Sequence, residues 1–204
     1  MFIILAILSF TFGAQILLRS LSLKFKNYEF LQEYELKFLK YIFYFSIFAV
    51  FSSLIYYSYQ QYIVWQSAEP SKFLLPPYQS VNYFLYYIGM RFFAPYIVSL
   101  SISILFLFVA KIFNKKYDER FFYPEELWFG ALALFFAGWP GSLFYFIGLI
   151  LIYLILHLLL AVSRKSLIKE TRISLYYWWI PLAIFVILLS NLLIELEWWK
   201  LLKI

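Results

Sequence analysis

No cysteine occurs anywhere in the 204 residues, which removes disulfides, thiolate-held zinc or iron–sulfur centres, and thiol catalysis. The single histidine, His157, likewise excludes a metal site or a haem pair built from several histidines of one chain. Charge is scarce as well. Asp, Glu, Lys and Arg make up 14% of the chain, against roughly 25% in soluble domains. Neither an internal repeat nor a low-complexity tract is present.

What is abundant is hydrocarbon: 65% of the residues are hydrophobic and 25% aromatic, more than a water-soluble domain of this size could bury. The chain therefore reads as an all-α integral membrane protein, one polytopic helix bundle over residues 1–204 with about six transmembrane segments. Spans are expected at about 2–18, 41–59, 92–113, 142–162 and 175–194, with a short helix at 126–138. The apolar start at Phe2 has no basic region before it and no small-residue cleavage site behind it, so it reads as a retained first span. Between the first two spans, Phe30, Leu31, Tyr34 and Phe38 recur at helical spacing among charges, which predicts a short amphipathic helix on the membrane surface. Residues 60–91, with Trp65, Pro70 and Pro76-Pro77, read as a loop against the headgroups, ending in a shallow helix over 80–91. Trp178-Trp179 and Trp198-Trp199 bracket the last span as an aromatic belt would.

Counting charges gives an orientation. Thirteen of the 17 Lys and Arg fall in the connections 19–40, 111–120 and 164–172, and the positive-inside rule puts that face in the cytoplasm and both termini outside the plasma membrane. The net charge of +6 thus reads as a topology signal and a contact for anionic headgroups. The lipid bilayer is the expected partner, with other membrane proteins beside it. Nucleic acid is not expected, because the aromatic outer loop has almost no basic support. Nothing in the sequence calls for a cofactor or a metal.

The stretch Phe121 to Leu160 carries the candidate chemistry. Glu125 and Glu126 stand behind Pro124 at the mouth of an apolar segment of ~12 residues, ~18 Å of helix, which stops at Gly138-Trp139-Pro140-Gly141. A piece that short does not cross a ~30 Å hydrocarbon core, so it is expected half-buried among neighbouring helices. Glu126, Gly130, Ala133 and Ala137 share one narrow face, and small residues on such a stripe let helix backbones approach closely in lipid. Glu126 is a candidate catalytic carboxylate, while both acids also suit the positive end of a helix dipole behind an N1 proline. His157, mid-span among leucines, is a second candidate because ionisable groups inside a membrane are often functional; a structural hydrogen bond is the other reading. Gln15 and Asn191 read as helix–helix glue.

ELWFGALALFFAGWPG, RKSLIKETRISLYYWWIPLAIFVILL and MFIILAILSFTFGAQILLRSL together resemble the membrane half of type IV prepilin peptidases. Those enzymes carry a G-x-G-D motif at a cytoplasmic helix start, a short helix ending in Gly-Trp, a basic loop and a final helix opened by an Ile-Pro turn. The resemblance implies a cytoplasmic acid site with Glu126 in place of the motif aspartate, and pilin-like substrates as partners. Tyr123-Pro124-Glu125 stands where the motif glycines would be, and the stretch most like the other aspartate's segment, from Tyr57, has tyrosine there. Pro124-Glu125-Glu126-Leu127-Trp128-Phe129-Gly130, His157 and Asn191 also resemble, more weakly, the CAAX-protease and bacteriocin-immunity family, with Gly130 where its arginine would stand. The expected function is that of a prepilin-peptidase-like membrane scaffold or assembly subunit that has lost catalysis. The alternatives are an active intramembrane acid protease using Glu126, and a transporter or lipid-handling subunit.

Overall fold

A computed structural model describes residues 2–24, 28–117, 121–163, 174–193, 197 and 202. All of its regular structure is helical: α1 (Phe2–Lys24), α2 (Tyr28–Ser67), α3 (Val81–Ile88), α4 (Ala94–Lys116), α5 (Pro124–Ala137), α6 (Gly141–Ser163) and α7 (Trp179–Leu193). A π turn, Gly89–Phe93, fuses α3 and α4 into one continuous rod, and a 3-10 turn, Ser71–Leu74, follows α2. Four stretches are long and apolar enough to cross a membrane: Phe2–Leu21, Gln32–Ser67, Val81–Lys116 and Gly141–Leu159. The apolar stretch of α7, Trp179–Ser190, is shorter.

Two connections differ from the sequence reading. The amphipathic turn around Phe30 to Phe38 is not a separate surface helix but the opening of α2, which runs for 40 residues. The reason is an absence: no glycine or proline lies between Gly13 and Pro70, so nothing inside that helical pattern stops it until Pro70. The expected loop at 60–91 is likewise mostly helix, because α2 continues to Ser67 and the shallow helix joins α4. Pro95 does not break that rod. The wider π turn immediately before it takes up the register change that a missing N–H and a bulky ring demand.

The two rods are longer than a bilayer requires. Gln32–Ser67 and Val81–Lys116 each hold 36 residues, ~54 Å of helix, which even a 40° tilt does not fit into ~30 Å of hydrocarbon. Part of each rod therefore stands beyond the hydrocarbon, and the two rods are joined at one tip. It holds a small core of its own, in which Trp65, Leu75, Phe84 and Ile88 are buried, with the rings of Trp65 and Tyr87 4.7 Å apart.

The main core is built on α5. Pro124 occupies its first turn, the expected stop is made by Gly138 at φ 66°, and α6 begins at Gly141. Every residue from Glu125 to Phe136 is buried, so this ~21 Å helix is sheathed on all sides. From α4, Ser103 donates across to the carbonyl of Ala131 at 2.7 Å, which only a close backbone approach permits. From α2, Phe43 meets Trp128 and Phe135 edge-on at 5.7 and 6.4 Å. α7 adds Trp179, fully buried and 5.8 Å from Phe106. Of the expected aromatic belt pair, only Trp178 faces outward; Trp179 is core, and Trp198-Trp199 lie outside the described residues. Tyr145 of α6 donates to the carbonyl of Trp179 at 3.1 Å, tying α6 to α7.

Candidate functional site

Sequence placed Glu125 and Glu126 in the first turn of α5, and both lie there, 3% and 1% exposed. A carboxylate so withdrawn from water is tolerated only with donors around it. Glu126 has them: Oε2 accepts the Tyr123 N–H at 2.9 Å, the return half of a capping box, and Oε1 accepts the Ser174 hydroxyl at 2.7 Å. Glu125 accepts from the Gln32 side-chain amide, 3.1 Å to Oε2.

A third acid joins them from α2. Glu35 is 6% exposed, and its Oε1 accepts a short hydrogen bond from the Tyr176 hydroxyl. The segment Ser174 to Tyr176, just ahead of α7, is thus the hub of the cluster. Ser174 Oγ accepts the Tyr176 N–H at 3.2 Å while donating to Glu126. Gln15 of α1 donates to the Tyr176 carbonyl at 2.6 Å. The Arg19 guanidinium lies 5.6 Å from the centre of the Tyr176 ring, so the phenol has a cation over its face and a carboxylate at its hydroxyl. Glu125 is close enough to act electrostatically on both Glu35 and Tyr176. One helical turn into α5, the Lys40 and Lys111 ammonium groups lie 5.8 and 5.1 Å from the Trp128 ring, adding two cations at the acid end of the bundle.

The cluster therefore links α1, α2, α5 and the entry to α7 through eight side chains: Gln15, Arg19, Gln32, Glu35, Glu125, Glu126, Ser174 and Tyr176. Its hydrogen bonds fasten these elements to one another. Both oxygens of Glu126 are held by donors of this chain, whereas acid hydrolysis needs a carboxylate whose oxygen reaches a water and a second carboxyl to share its proton. Among the described residues, no group of three or more His, Cys, Asp or Glu is arranged to hold a metal ion.

His157 is not part of this arrangement. It is exposed on α6, its ring stacked on Tyr153 at 6.2 Å and 20°. Gln15 bridges helices as expected, and the Asn191 side chain lies outside those described. Glu35, Gln32, Ser174 and Tyr176 were not singled out from sequence. For Glu35 a signal existed: Leu39, Ile42, Ser46, Val50 and Leu54 form the buried stripe of α2, and Glu35 extends it backward by one turn. Comparison of the chain with models of known families, with curated proteins and with solved structures finds no match in any of the three.

Proposed function

We propose that this chain is a non-catalytic scaffold or assembly subunit of the plasma membrane, with a prepilin-peptidase-like arrangement whose acid site has become a structural fastening. The observation that carries this reading is the double engagement of Glu126 by Tyr123 and Ser174. Each oxygen of Glu126 accepts from a donor of this chain, one at the start of its own helix and one at the entry to α7, which suits a carboxylate that closes the bundle. The test is direct. The purified protein, offered a pilin-like substrate with a short basic leader, is expected to leave it uncleaved. Cleavage that disappears in Glu126→Gln would overturn the reading.

A second reading, an acid peptidase, draws its support from Glu35, a buried carboxylate on the same end of the bundle as Glu125. Loss of leader cleavage in Glu35→Gln as well as in Glu125→Gln would establish it.

The orientation belongs to the same proposal. Thirteen of the 17 Lys and Arg fall in the connections 19–40, 111–120 and 164–172, and Arg19, Lys40 and Lys111 among them lie by the acid cluster, so in this reading the cluster's face is cytoplasmic and the tip of the two rods is external. The native chain has no cysteine, so single cysteines at Ser71 and Ser166 report cleanly. A membrane-impermeant thiol reagent applied to intact cells is expected to label the first and not the second; the reverse result inverts the topology.

A further inference from the structure

A groove of about 510 Å³, lined by apolar side chains alone, runs along α4 beside α6. That volume lies within the range of about 300–1,000 Å³ typical of small-molecule sites. Ile102, Leu105, Val109 and Phe113 form its long wall, one face of α4, with Phe146 of α6 and Phe121 ahead of α5 completing it. Asn114 fixes the Phe121 side, donating to the Phe122 carbonyl at 2.6 Å and accepting the Phe122 N–H at 2.9 Å.

The length of the groove argues about its occupant. From Ile102 to Phe113 the helix rises ~16 Å, close to half of a ~30 Å hydrocarbon core. A partner helix crossing the bilayer would need a groove about twice as long; the tail of a lipid in one leaflet would not. The charge at its end argues further. Lys116 is the next position on the same face beyond Phe113, in the last turn of α4. Its side chain is exposed and lies 5.6 Å from the Tyr117 ring, with no ion pair among the described residues. A ~16 Å hydrocarbon slot with an ammonium group at its mouth is complementary to a phospholipid tail ending in a phosphate.

We propose that the α4–α6 groove holds one acyl chain of an anionic phospholipid whose phosphate pairs with Lys116. The tail passes from one hydrocarbon surrounding to another, so the groove supplies shape and residence, and the charge at its mouth supplies selection. A single Lys near a membrane surface is expected to favour the anionic headgroup about fivefold.

Native mass spectrometry of the detergent-purified full chain, given equal amounts of phosphatidylglycerol and phosphatidylcholine with matched tails, tests this. One phosphatidylglycerol per chain is expected, preferred about fivefold, with the preference erased in Lys116→Gln. Leu105→Trp should fill the groove and remove the adduct. Ile104→Trp, also on the exposed side of α4 but off the groove, should retain it and serves as the folding control. Equal retention of the two lipids, an adduct indifferent to Leu105→Trp, or no adduct on the wild type would each overturn the proposal. So would palmitate displacing phosphatidylglycerol at equal concentration, which would assign a free fatty acid, or a doubled mass lost in Leu105→Trp, which would assign a second copy of the chain.

Discussion

A β-carbon at Gly130 would stand 2.7 Å from Cζ3 of Trp179, and 2.7 Å from Cε1 of Phe106 on the other side. The two rings, one from α7 and one from α4, close on the α5 backbone where only a hydrogen atom fits. Trp179 is fully buried and has no room to turn aside, whereas Phe106 borders the groove along α4 and can yield only by rotating into it.

Gly130→Ala is therefore expected to destabilise the bundle, on the order of 1–2 kcal/mol after the gain of alanine in a helix is set against the overpacking. Gly13→Ala, with nothing within 4 Å of the added carbon, should be neutral or stabilising by up to ~1 kcal/mol. Unfolding in mixed micelles with rising SDS, followed by tryptophan fluorescence, measures both. Equal effects at the two positions would contradict the packing described.

Ser99 and Ser103 offer a second contrast on α4. Both are buried, but Ser99 bonds back to Pro95 of its own helix whereas Ser103 bonds to Ala131 of α5. Ser103→Ala should cost about 0.6–1.7 kcal/mol, the range for hydrogen bonds between membrane helices. Ser99→Ala should cost less than half of that, as judged by the same SDS titration.

Glu35 and Tyr176 should behave as a unit. Tyr176→Phe leaves a buried carboxylate without its donor and is expected to cost about 1–3 kcal/mol. In the background of Glu35→Leu, the same substitution should cost much less. A double-mutant cycle giving a coupling of at least ~0.5 kcal/mol is the expected outcome; additivity would mean that the contact is not formed.

Asn114 makes two hydrogen bonds to the backbone of Phe122, across the turn between α4 and α5. Asn114→Ala should raise hydrogen exchange at the Phe122 amide and lower stability by about 1–3 kcal/mol. Unchanged exchange at Phe122 would show that the turn is held elsewhere.

The helical architecture was legible in the sequence because hydrophobic runs and their punctuation were strong. Gly138 to Gly141 told where α5 stops, and Pro124 with two acids told where it starts. The connection at 19–40 misled because charge was taken as a sign of exposure. In α2 the charges divide by face: Glu33 and Lys37 pair at 2.7 Å on the outside, and Glu35 turns in. A period of 3.6 carries that distinction, and composition does not. The hub at Ser174 to Tyr176 was beyond reach for another reason. Its role comes from lying beside residues 48 and 141 positions away, and no local pattern encodes such a meeting. His157 looked functional from its surroundings in sequence, yet it lies on a stretch of α6 where Leu154, Ile155, Leu158 and Leu159 are exposed as well, outside the packed core.

The complete burial of α5 bears on how the chain is made. A stretch of 14 residues, ~21 Å, is too short to settle across a bilayer by partition alone. Its shelter comes partly from α6 and α7, which leave the ribosome after it. During synthesis α5 must therefore wait at the membrane surface or inside the insertion machinery, with two carboxylates at its leading end, until the later helices arrive to cover it. Ser174 and Tyr176, emerging after α5 and α6, supply the bonds that close over those acids. A chain stopped before Ser174 would have every acid of the cluster and none of the hydroxyls that hold Glu35 and Glu126, and it is the form that membrane quality control would be expected to remove.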